Sequence, residues 1–150
     1  MVSKLGKLMV CLMVIVFMGS TVFAFTADQA TKGKELYVKY CAVCHGANGE
    51  GGKVPEQFGK LAGMKVPPVA GPGYLPNMKS AGQAYEFAMK NMPGDKPGSL
   101  KSEEYLDIIS FALQANGIAP DDKPLTPASA KKIKLAGGEK KPVQKGPSSY

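Results

Sequence analysis

Reactive chemistry in this 150-residue chain concentrates in five residues, Cys41-Ala42-Val43-Cys44-His45. Two thiols three positions apart share one face of a helical turn. Both sulfurs can therefore bond the two vinyl groups of one porphyrin, and the histidine that follows is placed to ligate its iron. The C-x-x-C-H string reads as a site of c-type haem attachment. Two other chemistries compete for it. A thioredoxin-like dithiol needs a βαβ context, whereas the flanks here are helical in pattern and lack a strand-like Val/Ile run. A Cys₄ or Cys₂His₂ zinc cage cannot be assembled from three cysteines and one histidine. The same inventory limits nucleophilic catalysis, because a Ser-His-Asp or Cys-His arrangement would have to use His45.

The third cysteine, Cys11, lies in a segment with the marks of a secretory signal. Lys4 and Lys7 form a basic start, and residues 8–19 are an apolar run of twelve, too short to span a bilayer. Val22 and Ala24 stand at the −3 and −1 places of a small-residue cleavage site. Residues 1–24 are expected to be a signal peptide and residue 25 the mature start, with a retained anchor as the alternative. Cleavage would remove Cys11 and deliver Cys41 and Cys44 to the periplasm, with no stable membrane insertion. An oxidising compartment favours a disulfide between such a pair, unless haem claims both sulfurs.

The elements that must position the motif can be traced on either side. Thr26 and Gln29 have the spacing of a capping box. Ala30, Gly33, Tyr37, Cys41 and Cys44 then recur on one helical face. Gly33 on that face suggests close approach of another helix; the plainer reading is a weak spot costing ~1 kcal/mol. Glycines at 46, 49, 51 and 52 end the helix at the motif. Residues 53–79 carry five prolines and four glycines, an irregular segment without a credible strand. Ser80 and Gln83 offer a second capping box, opening a helix with Ala84, Phe87 and Ala88 as its apolar stripe and Pro93-Gly94 as its stop. A last helix is expected over 102–115. Tyr105, Ile108, Ile109, Ala112 and Leu113 form its buried face, with Phe111 beside them. Asn116-Gly117 is its C-cap.

Charge divides the chain unevenly. The 19 basic residues are all lysines and the formal net charge is +7. Residues 25–119 carry ten lysines against nine acids; residues 120–150 carry seven against three, a balance of +4. The latter stretch also holds five of the twelve prolines and a single aromatic, Tyr150. It reads as a Pro/Lys-rich disordered tail without a periodic apolar face, following a haem domain over 25–119. Scattered lysines without interleaved aromatics give no case for nucleic acid. A folded part of ~95 residues has a small core, which a covalent haem would enlarge. The pattern is all-α: three or more helices packed around one haem.

Residues 27–117 resemble the class I c-type cytochromes, bacterial periplasmic members in particular. The matching strings are Gly33-Lys34-Glu35-Leu36-Tyr37, Cys41-Ala42-Val43-Cys44-His45-Gly46, Pro67-Pro68-Val69-Ala70-Gly71, Met92-Pro93 and Pro97-Gly98-Ser99-Leu100, with the closing helix. The resemblance implies covalent haem c on Cys41 and Cys44, His45 as proximal ligand and Met92 as distal ligand, with Met64, Met78 and Met89 as the other mature candidates. It implies that the carbonyl of Pro67, or of Pro68, accepts the histidine's other N–H. It implies a contact of Gly33 and Phe111 between first and last helices, with Tyr37 nearby. One departure is Lys101, where relatives carry a capping Ser or Thr; Ser102 is the replacement expected. His/Met-ligated iron suits electron transfer rather than catalysis. The expected function is a monomeric carrier of single electrons. Its donor would be a dehydrogenase or membrane complex, its acceptor a cytochrome or oxidase. The alternatives are a dedicated electron-accepting subunit of a quinoprotein-type dehydrogenase, and a haem-based sensor or peroxidase.

Overall fold

The computed structural model describes residues 24–135. The expected signal peptide, apart from Ala24, and residues 136–150 of the expected tail lie outside the described residues. The chain is mostly helical. α1 spans Ala27–Tyr40, α2 Ala42–His45, α3 Ala81–Asn91, α4 Ser102–Ala115 and α5 Pro127–Ala130. Between α2 and α3, two short strands, β1 (Gly52–Lys53) and β2 (Lys65–Val66), pair antiparallel with Gly52 opposite Val66. A 3₁₀ segment, Glu56–Leu61, lies between them. This small sheet was not expected; two residues per strand are too few for a period to be seen.

α1 begins where its cap predicts. Thr26 Oγ1 accepts the Gln29 N–H at 3.2 Å, and Gln29 Oε1 accepts the Thr26 N–H in return. α1 then crosses α4 at Gly33, whose Cα faces the Asp107 carbonyl so closely that a β-carbon would overlap it. The close approach expected at this glycine is therefore real. One turn further, the Tyr37 and Phe111 rings pack with centroids 5.0 Å apart.

α4 is the central element. Tyr105, Leu106, Ile108, Ile109, Ser110, Ala112 and Leu113 are all buried. The added Leu106 and Ser110 reflect packing on more than one side, and Ser110 Oγ donates to the Leu106 carbonyl at 2.9 Å. The N-cap lies one residue before the one expected. Lys101 is the N-cap, and its N–H donates to Glu104 Oε2 at 2.7 Å. Ser102 instead pairs its hydroxyl with that of Tyr85 at 2.7 Å.

α3 turns Ala84 and Ala88 of its expected stripe to the core but not Phe87. Ser80 Oγ caps it by accepting the Gln83 N–H, but Gln83 Oε1 accepts from Lys79 rather than completing a box. Ala81, Gly82, Ala84 and Tyr85 are buried, whereas Phe87 is 45% exposed. The reason is Gly82, which admits the main chain at Lys131 against α3 and turns that side inward.

The segment bringing Lys131 there is the largest correction. Residues 119–135 are not a free tail. Asp121 N–H donates to the Phe25 carbonyl at 2.7 Å, and its carboxylate accepts the Ala24 N–H. The Gln29 side-chain amide holds the Leu125 main chain, accepting its N–H at 2.6 Å and donating to its carbonyl at 3.2 Å. Thr126 caps α5, and beyond it Ala81 N–H donates to the Ile133 carbonyl and Leu135 N–H to the Lys79 carbonyl. Leu125, Ala130, Ile133 and Leu135 enter the same core as Phe25, Tyr85, Tyr105, Ile109 and Leu113. The segment is a strap that ties the start of α1 to the start of α3. The exposed ion pair Lys131–Glu86 at 3.2 Å adds little to it.

Candidate haem site

α1 runs directly into the motif. Cys41 is its C-cap, donating its N–H to the Tyr37 carbonyl at 2.8 Å. The next turn is closed by Cys44 and His45 N–H groups donating to the Cys41 carbonyl at 3.1 and 2.9 Å. Both cysteines are half-buried and unpaired. Burial, and then the neighbouring Cys44, push the Cys41 thiol up to about 11. The Cys44 thiol is also raised, by burial first and by the Asp95 carboxylate second. A redox dithiol needs a stabilised thiolate, and this environment does the reverse.

His45 is oriented by the irregular segment. Its Nδ1 stands 3.3 Å from the Pro67 carbonyl oxygen, so an N–H there donates to it and leaves the Nε2 lone pair free for a metal. Burial lowers the imidazole's affinity for a second proton, opposed by the Pro67 bond. Pro68 is otherwise engaged, its carbonyl accepting the Leu75 N–H at 2.9 Å. The Pro67 carbonyl reaches the ring because the motif loop packs main chain to main chain. Gly51, at φ +80°, lies against Val66 O, Pro67 C and Pro68 N with no room for a β-carbon, and its N–H donates to the His45 carbonyl at 2.8 Å. The Gly49 carbonyl accepts the Val69 and Ala70 N–H groups. Asn116 closes the arrangement from α4. Its Nδ2 donates to the Val69 carbonyl at 2.9 Å, and its Oδ1 accepts the Gly71 N–H at 3.0 Å.

Met92 is the C-cap of α3, half-buried. Its carbonyl accepts from Tyr105 Oη at 2.6 Å and from the Gly98 N–H at 3.1 Å. The loop it opens reaches the motif, since Asp95 is near enough for its charge to act on Cys44. The other methionines differ: Met64 and Met89 are 54% and 38% exposed, and Met78 packs against the core. The structure thus brings Cys41, Cys44, His45 and Pro67 together and lays the Met92 loop beside them. Asn116 is the C-cap expected of it, but its bonds to the loop and the partners of the tyrosine hydroxyls were not foreseen. The available signal was Tyr, not Phe, at buried positions, because a buried hydroxyl seeks a partner.

These residues fit a porphyrin better than a bare ion. Among the described residues no group of three or more His, Cys, Asp or Glu side chains could hold a metal alone. Large apolar side chains from the three segments involved lack cover: Val43 from the motif, Met64 before Pro67 and Met89 before Met92. Two unpaired thiols and a free imidazole lone pair on one helical turn suit a flat, iron-bearing group.

Fold and motif together define a small helical c-type cytochrome. The family described as cytochrome c oxidase, cbb3-type, subunit III, matches residues 28–111, and the chain belongs to it. It is accordingly a haem-binding electron-transfer protein. A thiosulfate dehydrogenase of Psychrobacter arcticus is 33% identical over 82 residues, covering 53% of this chain and 24% of the relative. One of Stutzerimonas stutzeri is 30% identical over 107 residues, covering 69% and 32%. The chain thus spans between a quarter and a third of these curated relatives. Among solved structures, the sulfane dehydrogenase SoxCD from Paracoccus pantotrophus aligns with TM-score 0.47 and 20% identity, over 75% of this chain and 60% of that one. Among the described residues no helix is long and apolar enough to cross a membrane.

Proposed function

We propose that this chain is a periplasmic one-electron carrier. It holds one haem c through thioethers from Cys41 and Cys44, with His45 and Met92 as axial ligands. The observation that carries the reading is one helical turn bearing two unpaired thiols and an imidazole whose Nδ1 faces the Pro67 carbonyl. When bound, His/Met-ligated haem exchanges one electron between ferric and ferrous iron without an open position for substrate. The chain's own residues set the conditions. The Pro67 carbonyl fixes the His45 ring and raises its basicity. Met92 is favoured over Met64, Met78 and Met89 by its place at the end of α3 before Pro93 and by the two hydrogen bonds that fix its carbonyl. One C-x-x-C-H string implies one haem, and a single histidine leaves no imidazole for acid–base work on peroxide. The reading is therefore a carrier and not an enzyme, a monomer exported by residues 1–24, exchanging electrons with a donor dehydrogenase or membrane complex and an acceptor cytochrome or oxidase.

A second reading has a specific observation behind it. Both curated relatives are thiosulfate dehydrogenases much longer than the matched region. The chain would then be a dedicated electron acceptor of a dehydrogenase, and a stable copurifying partner is expected.

Intact-mass measurement of the exported protein tests the main reading. The expected mass is that of residues 25–150 plus one haem, with haem staining retained on a denaturing gel and lost in the Cys41→Ala/Cys44→Ala double variant. A mature protein without haem and with Cys41 disulfide-bonded to Cys44 would overturn it.

A further inference from the structure

The α1/α4 crossing carries two tyrosines that are each 2% exposed, Tyr37 and Tyr105. A phenol hydroxyl buried this deeply needs an acceptor. Tyr37 Oη donates at 2.7 Å to the carbonyl of Gly46, the residue after His45. Tyr105 Oη donates at 2.6 Å to the carbonyl of Met92 itself. Both carbonyls take a second bond from their own loop, Gly46 from the Gly49 N–H at 3.2 Å and Met92 from the Gly98 N–H at 3.1 Å. Each loop is thus closed on itself by one hydrogen bond and tied to the helix pair by the other. The helix pair is a firm anchor, because Gly33 seats α1 directly on the α4 main chain at Asp107.

We propose that Tyr37 and Tyr105 are positioning residues for the two iron ligands, their hydroxyls clamping the main chain beside His45 and at Met92 to the α1/α4 crossing. The inference rests on His45/Met92 ligation and deepens it. A phenylalanine at either position would fill the same space and preserve the core while freeing the loop. Tyr105 then governs how often Met92 leaves the iron, and Tyr37 how firmly His45 keeps its bond to Pro67.

Tyr85 supplies the control. It is also buried, at 6% exposure, but its hydroxyl bonds to Ser102 Oγ, a side chain at the start of α4, and not to a carbonyl of either ligand loop. Tyr105→Phe, Tyr85→Phe and Met92→Ala would be purified as holoprotein and mixed with cyanide in the ferric state. Tyr105→Phe should bind cyanide about tenfold faster than wild type, since the Met92 carbonyl loses one of its two hydrogen bonds. Tyr85→Phe should bind at the wild-type rate. In the ferrous state, the His45 Nδ1 proton of Tyr37→Phe should exchange with solvent about tenfold faster than that of Tyr85→Phe, again by loss of one such bond. Equal behaviour of these variants and Tyr85→Phe, with Met92→Ala losing its red absorption feature, would overturn the clamp and leave the ligation standing. A Met92→Ala protein with the wild-type spectrum and cyanide rate would overturn the ligation and the clamp with it. A Tyr105→Phe chain that holds no haem would also overturn the clamp, because the hydroxyl would then be a bond of the core.

Discussion

At the scale of single residues, polar groups sit where the backbone needs them, and one carboxylate does not. Asp107, on the α4 turn that receives Gly33, has its pKa raised, first by burial; Lys32 and a hydrogen bond from Gln29 act against this, and Glu103 and Glu104 add to it. A carboxyl whose folded pKa exceeds its unfolded value binds more protons in the folded state. Stability therefore falls as pH rises through the window from the unfolded to the folded pKa. Asp107→Asn should remove that slope. The melting temperature of the variant should gain on wild type between about pH 3.8, the ordinary value, and pH 7. A constant difference across that range would refute the assignment. His45 shows the opposite economy, since its ring is held by a carbonyl 22 residues away that only a glycine-lined loop brings within reach. The motif was legible in sequence because five consecutive residues carry its chemistry locally. The partners of Tyr37 and Tyr105 were not, because hydroxyl-to-carbonyl bonds across loops leave no spacing to read.

Among the elements, the α1/α4 crossing sets the geometry on which both ligand loops hang. Gly33→Ala would place a methyl group into the Asp107 carbonyl. Because the obstacle is main chain, the helices must separate, and overpacking of this kind costs about 1–3 kcal/mol or more. The loss should appear in denaturant unfolding of the holoprotein. A gain near the ~1 kcal/mol by which helix propensity favours Ala over Gly would mean that the helices have room. α1 and α4 were readable from caps and 3.6-residue periodicity. α3 was readable in extent and, through Ala84 and Ala88, in part of its inward face; hydrophobicity also favoured Phe87 inward, whereas the strap at Gly82 brings Tyr85 inward and leaves Phe87 half-exposed.

On the scale of the whole molecule, the helical domain is completed by residues 119–135. Leu125, Ile133 and Leu135 are 2%, 3% and 5% exposed, and burying each stabilises by roughly 1.5–3 kcal/mol. Truncation after Gly117 should therefore lower stability by more than ~4 kcal/mol, a large share of what a small domain possesses. Limited proteolysis should spare the strap as far as Leu135. Early loss of the strap with an unchanged unfolding midpoint would contradict this. The strap escaped sequence reading for a physical reason. It crosses the domain in extended stretches and one short turn, so its apolar residues at 125, 130, 133 and 135 fall at uneven intervals, and its lysines and prolines imitate disorder.

The central claim, an electron carrier with iron closed by His45 and Met92, is tested most directly by the absorption spectrum of the oxidised Met92→Ala protein. Met89→Leu is its control, because Met89 lies three residues away and is 38% exposed. The red feature of methionine on ferric iron should vanish in Met92→Ala, with rapid cyanide binding and a lower reduction potential. Met89→Leu should keep the wild-type spectrum and change stability by less than ~1.5 kcal/mol. Retention of the red feature in Met92→Ala, or immediate cyanide binding by the wild type, would contradict the account; the second result would turn the carrier into an open-site haem protein.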